Sequence, residues 1–87
     1  MEKVTTEHLE SLIKSVTYYR VEINGKPTNM TQCYIELVNG FILTGESSCL
    51  NAADYNKELG EKYAYDRAFA KMWQLEGYHR AMSHAKQ

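Results

Sequence analysis

The chain has few covalent or conformational staples. Cysteine occurs twice in 87 residues, as Cys33 and Cys49, with no CxxC and no HxxxH spacing. A tetrahedral zinc site is therefore not expected, and two free thiols fit a reducing compartment. Proline occurs once, inside the turn-like run NGKPTN. No uninterrupted apolar stretch is long enough to cross a bilayer. The opening MEKVTTEHLESLIKS is charged and has no apolar core, so it does not read as a signal peptide. The net charge of −1 provides no basic field to attract nucleic acid. Internal repeats and low-complexity tracts are missing as well.

What is present is one small domain with seven tyrosines. A core of this size leaves modest net stability, and oligomerisation is a common remedy. Tyrosine is rigid and amphipathic, which suits interfaces and ligand platforms. Thr6 to Ser15 reads as a short helix capped by Thr5 or Thr6, because Leu9, Leu12, Ile13 and Val16 recur at helical spacing. Residues 17–23, TYYRVEI, and 31–38, TQCYIELV, read as strands, with a third over 41–47. A long helix is expected over about 52–76, capped by Asn51, followed by a polar tail over 79–87. The expected class is α+β: a small antiparallel sheet of about three strands, a short N-terminal helix and a long C-terminal helix, in one domain spanning 1–87.

Asn39-Gly40 between apolar runs is a strong hairpin signal. A two-residue turn there pairs Val38 with Phe41, Glu36 with Leu43 and Tyr34 with Gly45. Cys33, Ile35, Leu37, Ile42 and Thr44 then form the core face. Cys33 lies opposite Glu46 and Cys49 lies past the pairing, so a disulfide is not favoured. A slip of one residue would exchange the faces.

The long helix carries two apolar sides. Leu59, Tyr63, Ala70 and Trp73 share one; Ala64, Ala68, Met72 and Leu75 share another, beside Tyr65 and Phe69. That exceeds what one small sheet covers, so a homo-oligomer formed through this helix is expected.

No catalytic set is legible. His79 and His84 are five apart, a poor helical ligand pair, and GESSC lacks the second glycine of a nucleophile elbow. Cys49 has no evident basic partner. The run Gly45 to Asn51 has two readings. It is either a tight strand-to-helix turn capped by Asn51, or a phosphate or ribose cradle in which Ser47, Ser48 and Asn51 assist free backbone N–H groups. Phe41 either stacks on a base or packs against Tyr34 and a neighbouring chain. Arg67 either pairs with Asp66, Glu61 or Glu36, or recognises phosphate across a subunit boundary; Arg20 has the same two readings. Gly60, inside the helix, implies something packed close against it.

Asn39-Gly40-Phe41, Gly45-Glu46-Ser47-Ser48-Cys49, Asp54-Tyr55, the G-x-K-x-A-Y of Gly60 to Tyr65, Arg67-Ala68 and the W-x-L-E-G-Y of Trp73 to Tyr78 form a pattern. It resembles a family of small proteins from tailed phages, of coliphage and Shigella-phage type, over roughly residues 31–78. That family is similar to the anti-Thoeris sponge proteins, which bind cyclic ADP-ribose isomers made by TIR-domain enzymes without cleaving them. The resemblance implies a phage counter-defence protein in the cytoplasm of the infected host, not an enzyme and without a cofactor. It implies a homodimer or homohexamer whose pockets are shared between protomers, and no membrane, DNA or RNA partner. Phe41 would stack on the purine, with Asn51 and Arg67 on ribose and diphosphate. Gly45, Ser47, Ser48 and Arg20 complete the expected ligand set. The alternative is a phage inhibitor that binds a host protein directly through Tyr18, Tyr19, Tyr63 and Tyr65.

Overall fold

The computed structural model describes the backbone over residues 5–85 and side chains over 5–75. The elements are α1 (Thr6–Ser11), β1 (Ile13–Ile23), β2 (Lys26–Leu37), β3 (Ile42–Ser48), a 3-10 turn (Ala52–Asp54) and α2 (Lys57–Ala85). The three strands form an antiparallel sheet in the order β1-β2-β3. The α+β class with a short first helix and a long last one is as expected. The tail expected at 79–87 begins as helical backbone through Ala85; residues 86–87 lie outside the described part.

Helix α1 is capped by Thr5, whose hydroxyl accepts from His8 N at 3.1 Å. It ends four residues earlier than its apolar spacing predicts. Leu12 closes it, and Ile13 already pairs with Leu37. The cause is a bulge: the register shifts between Ile13 and Ser15. One extra residue, Lys14, lets Ile13 and Val16 pack on the same core despite their odd spacing. A bulged strand has thus imitated a helical period.

The hairpin register is the second correction. Glu36 pairs with Ile42, Ile35 with Leu43, Tyr34 with Thr44 and Cys33 with Gly45. The turn has three residues, not two. Leu37 N donates to Phe41 O and Gly40 N to Leu37 O, both at 2.9 Å, with Gly40 at φ +88°. That is a type I turn closed by a glycine bulge. The inward set of β3 is Leu43, Gly45 and Ser47, while Ile42 and Thr44 face away from the helix.

Helix α2 lies across β2 and β3. The core is Leu9, Cys33, Ile35, Leu43, Ala64, Ala68 and Met72, with Tyr65 and Phe69 half-buried beside it. The expected Ala64–Ala68–Met72 side is therefore the one that packs, and Leu59, Tyr63 and Trp73 stay exposed. Small residues set the helix-to-sheet distance. A Cβ on Gly45 would collide with the backbone of Ala64 and Ala68, and one on Gly60 would sit 2.8 Å from Thr31 Oγ1. Close packing at Gly60 is as its sequence position implies.

Candidate functional site at the start of the long helix

The chain leaves β3 at Ser48, makes the 3-10 turn, and enters α2. Asn56 caps the helix: its Oδ1 accepts from Leu59 N at 3.0 Å. Asn51 precedes the 3-10 turn and makes no side-chain cap bond. The expected cap is thus five residues too early, because a separate turn intervenes.

Between the two lies Tyr55. Its hydroxyl is 3.4 Å from Thr31 Oγ1, and the Arg20 guanidinium stands 3.8 Å from its ring centroid. Arg20 is held in place by Nε, which donates to Thr28 O at 2.8 Å. Among the described residues no acceptor holds its Nη groups. Tyr55 is a wall of two clefts. The larger, about 370 Å³, is lined by Tyr18, Arg20, Thr31, Tyr55, Lys57 and Glu61. The smaller, about 150 Å³, has Asn29, Ser48, Asn56 and Tyr63 among its lining residues.

The larger cleft collects two cations and one carboxylate at the positive end of a helix dipole. Burial, then the neighbouring Cys33 and Glu61, pushes the Tyr18 phenol up, so it remains a proton donor at neutral pH. Such a cleft can hold an anion by charge-assisted hydrogen bonds and a flat ring by stacking. No group of three or more His, Cys, Asp or Glu among the described residues could hold a metal.

The structure brings together only part of the expected ligand set. Arg20 lies in the larger cleft, and Ser47 and Ser48 line the smaller one. Ser47 is buried and donates to Gly60 O at 2.7 Å, a packing bond between strand and helix. Gly45 is covered by α2. Within the protomer neither of these two offers an open phosphate cradle. Phe41 is exposed in the hairpin loop at the far end of β3, roughly 20 Å away by strand rise. Arg67 donates from Nη1 to Glu46 O at 2.6 Å, on the outer edge of β3, in place of the expected carboxylate. Sequence reasoning missed Tyr55, Lys57 and Asn56 as site residues. The signal was an aromatic set between a turn and a capping asparagine, in DYN.

The fold is α+β, with an aromatic, cationic cleft where the chain enters its long helix. A model of a phage protein family, described as the N4 Gp49/phage Sf6 gene 66 family, matches residues 4–83. The chain belongs to that family. No curated protein and no solved structure matches it.

Proposed function

We propose that this phage protein binds and sequesters a cyclic nucleotide immune signal, a cyclic ADP-ribose isomer, without cleaving it. The reading takes its ligand class from the resemblance to anti-Thoeris sponge proteins. The observation that carries it is the Arg20–Tyr55 stack beside Lys57. The diphosphate lies against Arg20 and Lys57, and an adenine or ribose faces Tyr18 and Tyr55. A sponge must outcompete the effector, so several charged contacts are needed, each contributing about 1.5–3 kcal/mol. Self-association belongs to the same reading, with Phe41, Asn51 and Arg67 available to a neighbouring protomer's ligand. The protein acts in the cytoplasm of the infected cell, where the signal is made.

The test is retention. Purified protein is incubated with the products of an activated TIR enzyme, freed of unbound material by filtration, and heat-denatured. Mass spectrometry then identifies what is released. An intact cyclic ADP-ribose species is expected. Arg20→Ala should lower retention at least tenfold. If Phe41→Ala removes retention while Arg20→Ala does not, the site is at the hairpin loop. A degraded nucleotide means an enzyme, and an empty protein overturns the reading.

A second reading rests on a different observation. Leu59, Tyr63, Trp73 and Leu75 are exposed along α2. Such a surface suits direct binding of a host protein, and one-to-one complexes without retained nucleotide would favour it.

A further inference from the structure

Glu61 is the acid of the larger cleft, and the protomer gives it no work. It is half-buried on α2, one turn past Lys57. Among the described residues no hydrogen bond and no ion pair holds it. Arg67, a partner its position suggests, is bonded to Glu46 O instead. Lys57 lies four positions earlier on the same helix face, in the order that pairs less well, and no ion pair joins the two. Burial pushes the Cys33 thiol up and Glu61 adds to the shift, so the field of the carboxylate reaches into the sheet. A half-buried carboxylate without a donor is unfavourable, and an uncharged side chain there would be free of that penalty.

The cations of the cleft are in a similar condition. Lys57 stands in the first turn of α2, where the helix dipole disfavours a positive charge. Arg20 uses only Nε, on Thr28 O. Lys57, Glu61 and the Arg20 Nη groups therefore face one volume of about 370 Å³ without a hydrogen-bond partner among the described residues. A bare polyanion fits this set poorly, because the carboxylate repels it. A ligand with hydroxyl donors beside its phosphate fits it well. Two vicinal hydroxyls match the two oxygens of a carboxylate, and an acid takes ribose hydroxyls in this way in dinucleotide sites. Lys57 and Glu61 are about 6 Å apart along the helix axis, close to the span of one ribose between its 5′-phosphate and its hydroxyls.

We propose that Glu61 is a specificity-determining residue of the cleft: its carboxylate accepts from the free diol of a ribose while Arg20 and Lys57 hold the phosphate. The inference rests on the nucleotide reading above and narrows it. The ligand carries at least one ribose with both hydroxyls free next to its phosphate. Anions without a diol, such as inorganic phosphate and pyrophosphate, are turned away. A repulsive element of this kind lowers the affinity for every anion, and lowers it most for those that offer no hydroxyl in return.

Isothermal titration of the full chain tests it with two probes. Cyclic ADP-ribose isomers carry the diol, and inorganic pyrophosphate, measured as their competitor, carries the anion alone. Glu61→Gln breaks no bond inside the described protomer, so its circular dichroism should be unchanged. It should weaken isomer binding about tenfold, the difference between a charged and a neutral acceptor. The same change should strengthen pyrophosphate about threefold, and that gain should shrink as salt is raised. Damage to the fold would lower both affinities, so the opposite signs identify the role. Arg20→Ala, by contrast, should weaken both probes. An isomer that binds the unaltered chain and Glu61→Gln alike overturns this inference and leaves the nucleotide reading standing. A pyrophosphate that competes no better against the variant does the same. An unaltered chain that binds no isomer overturns this inference and the nucleotide reading together.

Discussion

Asn24-Gly25 and Asn39-Gly40 are the same dipeptide, each between two antiparallel strands, and they turn the chain in different ways. At the first, both residues are left-handed, Asn24 at φ +54° and Gly25 at +76°, and Ile23 pairs directly with Lys26. That is the two-residue type I′ turn the dipeptide predicts. At the second, only Gly40 is left-handed. Asn39 instead uses its side chain, accepting from Phe41 N at 3.0 Å, and Val38 joins the loop. Val38 is also occupied elsewhere, because its N–H donates to Leu12 O at 2.9 Å.

The difference lies in the strand that each turn leads into. After Asn24-Gly25 the chain enters β2, where Pro27 is accommodated because β3 reaches no further than Asn29 and Met30. After Asn39-Gly40 the chain enters β3, which lies under α2. A two-residue turn would direct Thr44 and Glu46 at the helix and Gly45 away from it. The three-residue turn does the reverse. Only a residue without a side chain fits under the Ala64 and Ala68 backbone, and Glu46 keeps its carboxylate in water. Local turn preference is on the order of 1 kcal/mol, whereas burying an unpaired charge or forcing two backbones apart costs several. Packing therefore decides the register, and the turn conforms to it.

The largest effect that tests this is at Gly45. Gly45→Ala should lower stability by about 3 kcal/mol, seen as a reduced urea midpoint, because the added methyl meets fixed backbone. A loss under about 1 kcal/mol would mean that Gly45 faces outward and the two hairpins are alike. Next is the pair Leu43→Ala and Ile42→Ala. The first should cost about 3 kcal/mol and the second less than about 1, and the reverse order would restore the two-residue turn. Smaller again is the contrast between the asparagines. Asn24→Ala should cost about 1 kcal/mol for a left-handed residue, and Asn39→Ala about half that for one exposed side-chain bond, read as melting temperatures.

The last effect, confined to alkaline pH, concerns the strand common to both hairpins. Burial, then Glu61, pushes the Cys33 thiol up to about 11 from 9.0. In the folded chain the thiol keeps its proton at pH values where the unfolded chain loses it. Its contribution is therefore complete below about pH 9 and is lost as pH rises towards 11. Denaturation midpoints measured across that window should fall, and Cys33→Ala should flatten part of the fall. Native Cys33 should also resist thiol reagents at neutral pH.

Much of the fold was legible. The strand composition, the Thr5 cap, the Ala64–Ala68–Met72 side of the long helix and the close packing at Gly60 all come from residue chemistry. The two misread elements share a cause. Lys14 as a bulge residue and Val38 as a loop residue each add one position, and one position inverts a strand's faces. Neither insertion has a composition of its own, since Lys and Val occur in any element. The candidate site was less legible. Arg20 and Ser48, which line the two clefts, were singled out because charge and hydroxyls are visible in sequence. Tyr55 was not, because its importance comes from meeting Arg20 and Thr31, which lie 35 and 24 positions away and come within reach only across the folded sheet.

Tyr55 borders both clefts, and that has a thermodynamic consequence. An occupant of one cleft that shifts or fixes this ring changes the shape offered by the other. The two volumes are then linked, and linkage is reciprocal: whatever factor one occupant applies to the second, the second applies to the first. A single tyrosine would make the module cooperative or competitive according to which ring position each ligand prefers. Titrating one ligand at fixed amounts of another would reveal which.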